Sequence, residues 1–272
     1  FSNDIIINGT SRFRLDLDVN IAGDIIIANN ITVNFNNAGT NANTVLSGTL
    51  TVGDESIIDL GGGTVGLFTL ANVSMNAKSQ LNINNNSSLT SIGNFTLNAF
   101  NIVRFNTNGT TNITGTITSA GSCDIWIWLK SLIDGQQATV AFSSVQNTLY
   151  NICQDINSSA SNMVNTNGVD LSNNTGSIVF PSSTIGTTFY WVGNTISNFN
   201  LGTFSTGVND DWSNPDNWST ISGNYSGTNS CIPGAQDNVV FNASSFSAGA
   251  GNVDLDLFIQ ACNNFTWTGI PA

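Results

Sequence analysis

Apolar and polar residues alternate with a period of two along most of this chain. Phe13, Leu15, Leu17, Val19 and Ile21 interleave with Arg12, Arg14, Asp16, Asp18 and Asn20, which puts one set on each face of an extended segment. Comparable runs recur at Asp4–Ile7, Asp24–Ala28, Ile31–Phe35, Val45–Val52, Ser56–Leu60, Val65–Leu70, Gln80–Ile83, Asn94–Leu97, Asn101–Phe105 and Asn112–Ile117. Between them stand Asn8-Gly9, Gly61-Gly62-Gly63, Asn84-Asn85-Asn86 and Asn108-Gly109, which accept a positive φ cheaply and so mark turns. No segment carries a helical period, and Asp155–Val164 is too rich in Ser and Asn for even a short helix. Ile5, Ile25, Leu46, Leu67 and Leu89 step by about 20–22 residues, the length of one solenoid rung rather than of a hairpin. The expected fold is therefore all-β, a parallel β-helix or β-solenoid. β-sandwich domains would show the same alternation and remain the alternative.

Three regions follow. Rungs of the solenoid occupy 1–185. From Gly186 the chain turns to Trp, Gly and Asp, with Tyr190-Trp191-Val192-Gly193 and Trp212-Ser213-Asn214-Pro215-Asp216-Asn217-Trp218-Ser219, and 186–236 reads as a loop-rich module. Strands return over 237–272 at Asp237–Phe241, Val253–Leu257 and Phe265–Trp267, where the solenoid is expected to resume.

Composition narrows the function. Lys and Arg number 5, Asp and Glu 17, and His is absent, for a net charge of −12 with 8% charged residues. Five scattered cations cannot build a nucleic-acid-binding face. The chain holds 43 Asn, so amides and hydroxyls supply the polarity that charge usually provides, and stacked turns would let them hydrogen-bond in ladders. No apolar run approaches the ~20 residues of a membrane span. The sequence opens on Phe1 without a charged and then apolar leader, as expected of a processed product or an excerpt.

Cys123, Cys153, Cys231 and Cys262 form no CxxC pair and have no His to share a metal, so disulfides in an oxidising, extracellular setting are expected. Of three connectivities, Cys123 with Cys153 and Cys231 with Cys262 are preferred because each closes a loop of about 30 residues, for roughly 3–4 kcal/mol each on the chain-entropy argument. The alternative is four buried thiols.

The absence of His excludes Ser-His-Asp and Cys-His machinery. Asp16 with Asp18, Asp254 with Asp256 and Arg12 with Arg14 are i, i+2 pairs, more simply the solvent face of a strand than a catalytic pair. Asp210, Asp211, Asp216 and Asp237 lie in a turn-rich, cation-free stretch and are either solvated turn carboxylates or ligands for Ca²⁺, the one cofactor considered. Trp191, Trp212 and Trp218 are either core or a glycan-stacking platform.

The strings Cys123-Asp124-Ile125-Trp126, Asp170-Leu171-Ser172-Asn173-Asn174-Thr175-Gly176, Tyr190-Trp191-Val192-Gly193, Trp212–Ser219, Cys231-Ile232-Pro233, Asp237–Phe241, Ser245-Phe246 and Cys262–Gly269 resemble the long repeats of giant secreted surface proteins of Bacteroidota. The likeness covers about 100–272 well and 1–100 only in style. It departs at Cys153, where an apolar strand residue is expected, and in the long spacer between Trp191 and Trp212. The resemblance implies tandem units exported by the type IX route that serve as adhesins or cell-surface filaments. It also implies that Trp267-Thr268-Gly269-Ile270-Pro271-Ala272 leads into a segment like Phe1–Ile7 of a further unit. The expected function is thus a structural or adhesive repeat or subunit of an extracellular filament, partnered by itself head to tail. The alternatives are a carbohydrate-binding module that recognises surface glycans and a β-helical enzyme acting on polysaccharide.

Overall fold

The computed structural model describes residues 2–14, 18–36, 43–61, 67–84, 90–181, 186–192, 211–224, 231–246 and 253–269, with the side chains of 13, 14 and 36 left aside. It is a β-solenoid of about nine turns, with no α-helix among the described residues. The chain divides into two compact units, 1–121 with 126–183, and 122–125 with 184–272.

In the first unit every strand pairing among the described residues is parallel, which excludes a sandwich of hairpin-linked antiparallel strands. Ser11–Arg14, Thr32–Asn36, Ile57–Leu60, Gln80–Ile83, Ile102–Phe105, Ile127–Ser131, Asn151–Gln154 and Val169–Asp170 lie side by side in chain order. A second sheet of the same unit runs from Ile5–Ile7 through Ile25–Ile27, Thr44–Val52, Phe68–Met75 and Thr90–Leu97 to Ala138–Phe142 and Ile156–Thr166. Side chains consequently stack in columns. Ile5, Ile25, Leu50, Val73, Phe95 and Ile117 are register partners in succession, and so are Ile21, Leu46, Leu70, Ile92, Ile113 and Phe142. All but Ile5 are buried. Each such aliphatic or aromatic side chain stabilises the fold by about 1.5–3 kcal/mol.

Two devices turn the chain at each rung. Alternation slips at Ser47-Gly48-Thr49, where the long strand Thr44–Val52 bends and its register with the next strand shifts. The corners stack tightly there: a Cβ on Gly48 would lie 2.4 Å from the Gly23 carbonyl oxygen, and one on Gly93 2.0 Å from that of Ala71. At the opposite turn Asn30, Glu55, Lys78 and Phe100 all adopt φ of 55–58°. The amides of the first three donate to the rung that follows: Asn30 N to Asp54 O (2.8 Å), Glu55 N to Ala77 O (3.0 Å) and Lys78 N to Ala99 O (2.7 Å).

The expected amide ladder exists but is mixed. Asn94 Nδ2 donates to Asn72 Oδ1 at 3.0 Å, whereas other links run from a backbone N–H to an acid or amide one rung away. Asp24 N donates to Asp4 Oδ1 (2.8 Å), Thr49 N to Asp24 Oδ1 (2.7 Å) and Leu67 N to Asn43 Oδ1 (3.1 Å). These links satisfy groups that would otherwise be stranded between rungs.

The second unit merges the expected 186–236 module with the 237–272 strands. Its sheet has the order Trp218–Ser219, Thr188–Trp191, Asn238–Phe241, Asn264–Trp267, antiparallel at the first pairing and parallel at the other two. Among the described residues the returning strands pair with Thr188–Trp191 and with each other, and not with strands of the first unit's sheets. A 3-10 turn, Pro215–Asn217, is capped by Asn214, whose side chain accepts from Asp216 N. Proline at the first helical position needs no donor there.

Candidate functional site

Three strands of the second unit share one pattern, a large apolar residue at every second position: Phe189 and Trp191, Val239 and Phe241, Phe265 and Trp267. Parallel pairing stacks them, Phe189 beside Val239 beside Phe265, and Phe241 beside Trp267. Phe241 is the hub, with ring centroids 5.8 Å from Trp191, 5.0 Å from Trp267 and 5.3 Å from Phe265. Trp218 stands edge-on to Trp191 at 5.0 Å, and Trp212 edge-on to Trp218 at 4.7 Å. Trp218 Nε1 donates to the Trp212 carbonyl at 2.9 Å. Each such pair contributes about 0.5–1.5 kcal/mol beyond the area it buries.

The stack is sealed at one side and open at the other. Trp191 and Trp218 are 0% exposed and Phe241 1%, while Phe265 is 55% and Trp267 57% exposed. Asn264–Trp267 pairs only with Asn238–Phe241 among the described residues, leaving its second backbone edge and its aromatic face uncovered. That strand is the candidate site.

The predicted site residues fall elsewhere. Trp191, Trp212 and Trp218 are buried core, so their faces cannot stack on a sugar, and the glycan-platform expectation is corrected. Asp237 is buried and spends its oxygens inside the protein. Oδ1 accepts from Thr187 N at 2.8 Å, and Oδ2 accepts from Gly234 N at 2.7 Å and Gln236 Nε2 at 3.3 Å. Its own carbonyl accepts from Asn263 N at 2.6 Å. Burial pushes the Asp237 carboxyl above its usual range, and the two backbone amides pull it partly back. Asp211 forms a backbone bridge with Asp254, Asp216 is exposed on the 3-10 turn, and Asp210 lies outside the described residues. Among the described residues no three His, Cys, Asp or Glu side chains are placed to hold a metal, so Asp211, Asp216 and Asp237 are not brought together as a ligand set. Of the solvent-face pairs, Asp18 and Arg12 are exposed, as is Asp254.

The disulfide pairing is also corrected. Cys123 bonds Cys231 (S–S 2.02 Å, Cα–Cα 4.8 Å) across 108 residues, while Cys153 and Cys262 remain thiols. Cys153 is inward-facing, continuing the column of Leu81, Val103 and Leu129 in the core of the first unit. Burial, and secondarily Asp170, pushes its thiol up to about 12, opposed by a weak donation from Asn165 Nδ2 at 3.7 Å. Burial also raises the half-exposed Cys262.

A disulfide is a bond of oxidising, extracellular surroundings. Among the described residues no helix is long and apolar enough to cross a membrane. The open aromatic face escaped the sequence reading although its i, i+2 signal is plain in Phe265-Thr266-Trp267, because alternation does not say which strand of a sheet lies last. Compared with protein-family models, with curated proteins and with solved structures, the chain matches none, so the functional conclusion rests on its own residues.

Proposed function

We propose that this chain is a structural and adhesive repeat, or subunit, of an extracellular cell-surface filament, of the kind formed by the giant type IX-exported surface proteins of Bacteroidota, with no catalytic role. The observation that carries the reading is the uncovered strand Asn264–Trp267. A parallel sheet edge with apolar side chains exposed at its last strand would gain stability from a further strand, and head-to-tail pairing of copies there would propagate without closing. Covering Phe265 and Trp267 with the next rung would contribute several kcal/mol, since each exposes more than half of a large aromatic surface. The Cys123–Cys231 bond and a surface of amides and hydroxyls suit a long-lived extracellular structure.

Electron cryo-microscopy of the native material, with the same sample on a reducing denaturing gel, tests this. Filaments whose only protein is the mass of this chain support stacked subunits, and filaments of very high mass species support covalent tandem repeats. Dispersed single units refute the filament.

A further inference from the structure

The outward face of the eight-stranded sheet carries one column that is not self-satisfied. Asp59, Asn82, Arg104, Lys130 and Gln154 are successive register partners across five strands. Its first members are paired: Asn82 Nδ2 donates to Asp59 Oδ1 at 2.5 Å, and Gln80 Nε2 to Asn82 Oδ1 at 2.8 Å. Arg104 and Lys130, two of only five cations in a chain of charge −12, then stand directly beside one another. Like charges opposed across a ladder repel. Lys130 is relieved: its Nζ lies 2.7 Å from Asp134 Oδ1, and its ammonium, with Arg104 adding at longer range, holds the Asp134 carboxyl below its usual value. Arg104 is not. It is half-buried, its Nε is sealed from solvent without a hydrogen-bond partner, and it forms no ion pair among the described residues.

Only Nε of this guanidinium is sealed; its two terminal nitrogens, next to an ammonium with donors to spare, fit a planar or tetrahedral oxyanion held by the outer edge of one side chain and the point charge of the other. We propose that Arg104 and Lys130 form a binding site for a single oxyanion group, a carboxylate or a sulfate. Asp134 is its internal competitor. It is carried on an exposed loop, 73% exposed at the side chain, and occupies the Lys130 ammonium when no ligand is present. The site lies within the first unit and does not depend on filament assembly. Its ligand is either the free inorganic anion or the acidic group of a saccharide, which share this chemistry.

Titrating the ¹⁵N-labelled full chain with sodium sulfate and, separately, with an oligogalacturonate at constant ionic strength tests the site through the backbone amides of residues 104 and 130, which every variant retains. A saturable shift of those amides that is lost in Arg104→Gln and strengthened severalfold in Asp134→Asn supports the site. Asp134 is exposed, so the second variant folds whatever the fate of the first. Saturation by sulfate as readily as by the saccharide assigns a free anion, and binding of the saccharide at least about tenfold tighter, or 1.4 kcal/mol, assigns an acidic glycan. No saturable shift with either ligand, or one unchanged in Asp134→Asn, overturns the proposal.

Discussion

Gly93→Ala adds a single methyl group and strikes the solenoid where its rungs stack tightly. The added Cβ would sit 2.0 Å from the Ala71 carbonyl oxygen and 3.0 Å from its carbonyl carbon, both backbone atoms of the preceding rung that no rotamer change can move. Relieving the clash requires the rungs to part by more than an ångström at a strand spacing of about 4.8 Å. Overpacking of this kind costs about 1–3 kcal/mol. The separation also strains the links between Phe68–Met75 and Thr90–Leu97, among them the Asn94 Nδ2 to Asn72 Oδ1 bond (3.0 Å), each contributing about 1 kcal/mol. The expected loss is about 3–5 kcal/mol, or a fall in the unfolding temperature of roughly 2–4 °C per kcal/mol for a unit of this size. Gly9→Ala is the control, since a Cβ there meets nothing within 4 Å. It should be neutral or stabilising by about 0.5 kcal/mol through the unfolded chain. Urea unfolding followed by far-ultraviolet circular dichroism measures both. Equal stabilities for the two variants would refute the stacked-corner packing.

Cys262 should alkylate with iodoacetamide at pH 8 in the folded protein and Cys153 only after unfolding, because the Cys153 thiol is buried and held near 12; mass spectrometry of digests reads this, and equal labelling contradicts the core placement. Trp218→Ala should cost the second unit about 3–5 kcal/mol by emptying the centre of its aromatic stack, which thermal unfolding monitored by tryptophan fluorescence detects; a variant as stable as the parent contradicts that packing. Because Asp237 is raised on folding, the native state holds its proton to higher pH than the unfolded chain. Its contribution to stability is therefore fully present below the ordinary carboxylate value and is lost as pH rises through the raised one. The stability difference between the parent and Asp237→Asn should shift in the parent's favour as pH falls from 7 to 4, and a difference independent of pH would contradict the burial of this carboxyl.

The solenoid was legible because burial in stacked rungs imposes both a period of two and a period of one turn, and both are written in Ile5, Ile25 and their neighbours. The register was not. Leu46 pairs with Ile21 and Leu70 rather than following Ile25, whose partner is Leu50. The corner at Gly48 inserts residues that an apolar count cannot see, whereas the series Gly23, Gly48, Gly93 and Gly115 marks it. Cysteine spacing misled for a related reason. A loop of about 30 residues is entropically suitable anywhere, but Cys153 sits in a column whose neighbours point it into the core. The sequence left two readings for the Trp residues, and only their burial, Trp191 and Trp218 against Phe241 and Trp212 against Trp218, separates them.

Amide hydrogen exchange over residues 264–267, compared between assembled native material and the single chain, tests the stacking of a further rung on this strand most directly. Pairing of the bare edge should slow exchange there by more than about tenfold, equivalent to 1.4 kcal/mol or more of added protection. Exchange as fast in the assembled material as in the single chain would mean that no rung covers Phe265 and Trp267, and the filament reading would fall.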